Sequence, residues 1–405
     1  MKKYDLITPE GTRDLIYGEC AALRSVGERL RGIFTSRGYS EVITPGLEFF
    51  DVFNNTSRHY SQEELYKLTD GKGRLVVMRP DSTLPIARLV GTRLNGSPLP
   101  LKLFYNQTIY RANPKESGRD DEFFQSGIEI IGGETMRADM EALAIAAEVM
   151  GSFEAEDYRF EIGDSGFFTA LSAKLGLSER EHDELREYML GKNYPALNDF
   201  LGRFGDNIYA AAVGRLARLF GGRDVLDEAA KVLPDEVKPQ LDRLAQVYDN
   251  ISALGIGGKV TVDLGMVSRS QDYYTGIVFR GYVTGYGMPV LSGGRYDKVL
   301  ADFGADIPAT GFAVNENAVA DALLKRSGGM LTPAPDILVY SDDDRIMDAL
   351  RHCRALINDG FTVEYADLAS EDEARELAEK RGIRRFDTVT AKGIKVAEIK
   401  RRAAK

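Results

Sequence analysis

The chain has 405 residues, enough for two or three domains with a sizeable core. A formal charge of −10 and a pI near 5.1 give no general pull toward nucleic acid, and no apolar run approaches the ~20 residues of a membrane span. Cys20 and Cys353 lie far apart, and His59, His182 and His352 are scattered, which excludes a disulfide framework and leaves no metal-ligand spacing.

The start, Met-Lys-Lys-Tyr-Asp, has no apolar signal core, so a cytoplasmic protein is expected. Thr8 to Asp14 is turn-rich. From 18 to 37, Leu23, Val26, Leu30, Ile33 and Phe34 recur at helical spacing, and Gly38 supplies a stop. Tyr39 to Glu48 reads as a strand interrupted by Pro45, which points to an edge or a bulge. Leu75 to Met78 is a short apolar strand delivering Arg79, Asp81 and Thr83 to the corner before a helix over 84–94. At that corner Asp81 reads as a helix cap.

Tyr105 to Gly132 holds two apolar-alternating segments around a polar loop, the pattern of an antiparallel hairpin. Arg111 stands at the loop's root and Arg119 follows Gly118; their forked guanidinium groups suit carboxylate or phosphate. Gln125, Gly127 and Glu129 share one face of the return strand, with Gly127 leaving room there for a small ligand's backbone. Acceptors on that face suit an ammonium or an imidazole N–H.

A helix is expected over 139–151 and a strand over 158–162, and then the pattern is helical from 169 to 257. It includes a capping box at Ser178 and Glu181 and the stripe Leu241, Leu244, Val247, Tyr248, Ile251, Leu254. Val260 to Leu264 returns to strand before Arg269-Ser-Gln-Asp-Tyr-Tyr-Thr-Gly276, where Tyr273 and Tyr274 alternate in direction, so that one packs and the other lines a pocket. After the proline-punctuated 331–335, residues 336–405 alternate as βαβαβ, a small parallel three-layer domain. Its 14 basic residues against 15 acidic ones suit RNA phosphates poorly.

Tyr110 to Glu129 resembles motif 2 of class II aminoacyl-tRNA synthetases in the histidyl form. Met78-Arg-Pro-Asp-Ser-Thr83, the Arg269 segment, Gly293-Gly-Arg-Tyr-Asp297 and Thr310-Gly-Phe-Ala313 resemble further motifs of that family, in the same order. The resemblance implies an α+β fold: an antiparallel class II core over 1–325 with a helical insertion at about 165–257. It makes 336–405 a small α/β domain similar to the start of an anticodon-binding domain, and the 18–48 segment similar to the dimer-forming motif 1. It also implies that Asp81, Thr83, Arg111, Gln125, Glu129, Arg269, Tyr273 and Tyr274 bind histidine, with Arg119 as a residual anion contact.

The chain departs from the synthetase pattern where ATP would sit. Ala318 replaces an arginine that contacts ATP, and Asn113 replaces an acidic residue that contacts adenine. Losing one such charge partner costs about 10²- to 10³-fold in rate. With histidine's side of the pocket kept, the chain resembles the regulatory subunits of ATP phosphoribosyltransferase. That resemblance implies a non-catalytic partner of the short catalytic subunit, homodimeric within a hetero-oligomer, with histidine as ligand, no cofactor, no metal and no nucleic acid. A divergent histidyl-tRNA synthetase and a free-standing histidine sensor are the rival readings.

Overall fold

A computed structural model describes residues 4–54, 60–113, 119–153, 158–267, 273–326 and 334–399. The chain divides into two compact units, Met1–Gly329 and Met330–Lys405.

Among the described residues the first unit is built on a nine-stranded sheet. Near one edge lies the predicted hairpin, Leu101–Tyr110 with Glu122–Ile131, followed across the sheet by Ala309–Asn315, Leu291–Arg295, Ile277–Val283 and Tyr158–Asp164, all antiparallel. Alternation along Glu122–Ile131 gives the sheet two different faces. Ile128 and Ile130 point into a core with Leu30, Phe34 and Phe312, where Phe34 meets the Phe312 ring edge-on at 6.0 Å. Ile131 points to the opposite face, into a smaller core with Leu84, Val90, Leu103 and Tyr105. Gln125 and Glu129 share that second face, and a cleft opens over it.

The helix Gly18–Ser36 forms as its spacing predicts, burying Leu23, Val26, Leu30 and Phe34. This apolar stripe is spent inside the chain, so any dimer contact made by the helix would use its polar side. Tyr39 to Glu48 is interrupted at Pro45 and lies at sheet edges, as its proline suggests, but in two sheets: Ser40–Glu41 edges the large sheet, and Leu47–Phe49 edges a separate three-stranded sheet. Pro45 has no N–H for a ladder, and the Thr44 and Pro45 carbonyls accept from Arg79 Nη1 at 2.7 and 2.9 Å instead.

Between Tyr158–Asp164 and Val260–Asp263 the chain is helical apart from the two-residue strand Phe220–Gly221. The Ser178–Glu181 capping box forms, with Glu181 N donating to Ser178 Oγ at 3.4 Å. Leu241, Leu244, Val247 and Ile251 are buried, but Leu254 is exposed because the helix ends at Ala253.

In the second unit Ile337–Ser341, Val363–Tyr365 and Arg385–Thr390 are parallel neighbours. Beyond the expected βαβαβ pattern the chain contributes a fourth strand, Gly393–Glu398, antiparallel to Arg385–Thr390. Gly393 closes that hairpin at φ +115°, a conformation that a residue with a Cβ rarely adopts. The resulting sheet is mixed rather than parallel.

Candidate functional site

The cleft over the second face encloses about 1710 Å³, more than one amino acid fills. Asp81, Thr83, Arg111, Gln125, Glu129, Tyr273 and Tyr274 all line it, as do Arg119, Asn113 and Ala318. Residues contributed by a strand-to-helix corner, a hairpin and a Tyr-Tyr segment thus meet in one place. Arg269 falls outside the described residues.

Glu129 lies at the floor. Its Oε1 accepts from Thr83 Oγ1 at 2.8 Å, and its Oε2 accepts from the Tyr296 hydroxyl. Burial pushes this carboxyl up to about 8, against the pull of the Tyr296 and Thr83 hydroxyls and with a further push from Asp81. The fit around it is close: a Cβ at Gly311 would stand 2.1 Å from Glu129 Oε2. Above it Tyr273 stacks on Tyr296 at 6.1 Å and meets Tyr274 edge-on at 4.9 Å, forming an aromatic wall beside a buried acceptor. Both tyrosines line the cleft, and Tyr273 also packs against the smaller core, so the expected division into one packed and one lining residue holds only in part.

Gly127 also differs from expectation. A Cβ there would be 2.5 Å from the Tyr105 hydroxyl and 2.4 Å from the Phe312 carbonyl oxygen. The room is taken by Tyr105, which donates to Gln125 Oε1 at 3.2 Å, rather than left for a ligand.

At the other end of this half, Asp81 divides its carboxyl between two tasks. Oδ1 accepts from Leu84 N at 3.0 Å, the capping role; Oδ2 is buried with no partner. Burial raises the Asp81 pKa, and the neighbouring Tyr60 hydroxyl pulls it down. Arg111 Nη2 donates to the Pro80 carbonyl at 2.9 Å and to the Tyr60 hydroxyl at 3.3 Å, while its Nε is buried and unpartnered.

In the half of the cleft beyond Arg111, polar side chains are engaged with one another. Asn113 Nδ2 donates to the Arg111 and Asp120 carbonyls at 3.1 and 3.0 Å and to Asp121 Oδ1 at 3.1 Å, so its amide is occupied in holding the loop. Arg13 pairs with Asp120 and Asp321 at 3.1 Å each and with Glu19 at 3.3 Å. Ala318 brings no charge to this region, and Arg119 Nη2 points at Met288 Sδ, 3.4 Å away. Over the described lining as a whole, carboxylates outnumber cations, a poor field for a triphosphate.

Sequence reasoning missed Tyr60 and Arg13, whose partners are distant in the chain. Tyr296 could have been found, because it stands inside the matched Gly293-Gly-Arg-Tyr-Asp297 motif. Arg295 of that motif is structural: it is buried against Asp139 at 2.8 Å and Asp297 at 2.8 Å.

Residues 11–319 match the family model described as histidyl-tRNA synthetase. The chain is 36% identical over 389 residues to the ATP phosphoribosyltransferase regulatory subunits of Bacillus mycoides (strain KBAB4) and Bacillus cereus (strain ATCC 10987 / NRS 248), covering 95% of this chain and 91% of each relative. The crystal structure of an ATP phosphoribosyltransferase regulatory subunit/histidyl-tRNA synthetase from Bacillus halodurans superposes with a TM-score of 0.83 at 28% identity, covering 96% of this chain and 98% of that one. A histidyl-tRNA synthetase from Nostoc sp. PCC 7120 shares the fold, with a TM-score of 0.78 at 20% identity over 96% of this chain and 93% of that one.

Proposed function

The chain belongs to the ATP phosphoribosyltransferase regulatory subunit family, and from that premise we propose that it senses histidine for the catalytic subunit of that enzyme without doing chemistry of its own. The observation that carries this reading is the contrast between the two halves of the cleft. The amino-acid half keeps a buried acceptor pair, an aromatic wall and an open carboxylate oxygen. The other half has no cation at position 318 and spends Asn113 and Arg13 on internal bonds.

In this reading the imidazole lies against Glu129 and the Tyr273–Tyr274 wall, the ammonium near Asp81, Thr83 and Gln125, and the carboxylate near Arg111 and Arg269. Arg119 serves as a residual anion contact. Histidine occupancy matters only if it favours one state of the assembly; a differential of about 1–3 kcal/mol shifts partner activity about 5- to 150-fold. The chain acts in histidine biosynthesis as a homodimer within a hetero-oligomer with the short catalytic subunit. The outer face of the small sheet supports the dimer, because Leu47, Phe49 and Leu68 are exposed side by side on it.

The test is histidine-dependent exchange between ATP and pyrophosphate together with calorimetric titration of histidine. Binding without exchange is expected. Exchange at a rate ordinary for a synthetase would overturn the regulatory reading, and absence of binding would overturn the sensor role.

A further inference from the structure

Two adjacent residues at the root of the helical insertion reach in opposite directions. Asp164, wholly buried at the end of the strand Tyr158–Asp164, divides its carboxyl between the insertion's first α-helix, Gly166–Ser172, and its last, Lys238–Ala253. Oδ1 accepts from Gly166 N at 2.8 Å, and Oδ2 accepts from Arg243 Nε at 2.8 Å. Ser165, also buried, turns toward the aromatic wall of the cleft. Its N donates to the Gly276 carbonyl at 3.0 Å, and its hydroxyl donates to the Tyr274 carbonyl at 2.9 Å, with the Gly276 carbonyl at 3.2 Å. Residues 273–276 belong to no helix or strand, so such bonds set their course. On their other side Thr275 N donates to the Arg295 carbonyl at 2.8 Å, and Thr275 Oγ1 accepts from Asp297 N at 3.0 Å. The wall is clamped between residues 295–297 and the root of the insertion.

We propose that Asp164 and Ser165 act as a joint that couples the helical insertion to the cleft, with Ser165 the positioning residue for Tyr274. The inference rests on the histidine reading above and adds the route by which occupancy leaves the pocket. Tilting the helix Lys238–Ala253 pulls on Asp164 through Arg243. Because Ser165 is the next residue, the pull reaches the Tyr274 carbonyl through one hydrogen bond. An aromatic ligand packed on Tyr273 and Tyr274 fixes the wall and resists that tilt. The coupling is reciprocal: holding the insertion in this position tightens histidine, and histidine holds the insertion. Among the described lining residues of the cleft none belongs to Lys238–Ala253, so a response of that helix to histidine is carried through the protein rather than made by ligand contact.

Amide hydrogen exchange and calorimetry on the full chain, with histidine as the ligand, test this. In the parent, histidine is expected to slow exchange in Lys238–Ala253 about fivefold or more, and by more than in Gly18–Ser36, a helix of the same unit outside the insertion. Ser165→Ala removes the hydroxyl and keeps the backbone bond. It is expected to bind histidine about 3- to 10-fold more weakly, the range of one neutral hydrogen bond, and to lose the selective slowing in Lys238–Ala253. Asp164→Asn combined with Arg243→Met cuts the joint outside the cleft without leaving a lone buried charge, and is expected to lose the slowing too. Variants that keep the parent's affinity and its selective slowing overturn the proposal. A Ser165→Ala protein that binds more weakly yet keeps the slowing shows a packing role and overturns it as well. A parent that binds histidine without selective slowing overturns the joint and leaves the histidine reading intact, whereas a parent that binds no histidine overturns both. Should a variant fail to fold, the parent's exchange pattern decides.

Discussion

Replacing Glu129 by glutamine removes a buried charge while preserving shape. Thr83 and Tyr296 donate to its two oxygens, and both hydroxyls can rotate to accept from an amide instead. In the fold the carboxyl is pushed from 4.5 up to about 8, first by burial. A raised carboxyl binds its proton more tightly folded than unfolded, so the stability it contributes is complete below about 4.5 and is lost as pH rises through about 8. The shift spans about 3.5 pH units, and at ~1.4 kcal/mol per unit this is on the order of 5 kcal/mol. Urea unfolding of parent and Glu129→Gln between pH 5 and 9 measures it. Asp139 and Glu316 are also raised by burial, but they are common to both proteins and cancel in the difference; Asp81, raised by burial and coupled to Glu129, adds to the difference rather than cancelling. Glu129→Gln is therefore expected to gain on the parent as pH rises, by several kcal/mol at pH 9. Parallel profiles would refute the account of Glu129 as a carboxyl whose ionisation the fold resists.

Arg295→Ala leaves Asp139 buried without its guanidinium and is expected to lower the unfolding free energy by about 3–5 kcal/mol, read by the same urea titration. Leu47→Asp together with Phe49→Asp places charge on the exposed face of the small sheet and is expected to convert a dimer to monomers in sedimentation velocity, with unchanged circular dichroism.

The motif 2 hairpin was legible because alternation at its return strand, Gln125 and Glu129 against Ile128 and Ile130, leaves one register that buries the isoleucines while gathering the polar pair over the cleft. The helix Gly18–Ser36 was legible for the same reason at period 3.6. The three-stranded sheet was not: Leu47–Phe49 and Lys67–Thr69 are only three residues long, too short to carry a period. Gly393–Glu398 escaped because it is an exposed edge strand, with Ile394 and Val396 facing solvent rather than a core.

At the site, sequence supplied the residues that line the cleft but not how they share their bonds. Gly127 looked like space and is filled by Tyr105, 22 residues earlier in the chain. Asp81 looked like either a cap or a ligand group, and its two oxygens separate those roles. Tyr60 carried no pattern at all, because its importance comes from lying between Arg111 and Asp81, which only the tertiary fold arranges.

The central claim is that this chain governs a partner through histidine. The most direct measurement is the activity of the host's short ATP phosphoribosyltransferase subunit, assayed alone, with this chain, and with this chain plus histidine. The account predicts that activity depends on the chain and is inhibited by histidine, with Glu129→Ala weakening inhibition while the complex still assembles. Catalytic activity indifferent to the chain, or inhibition untouched by Glu129→Ala, would contradict it.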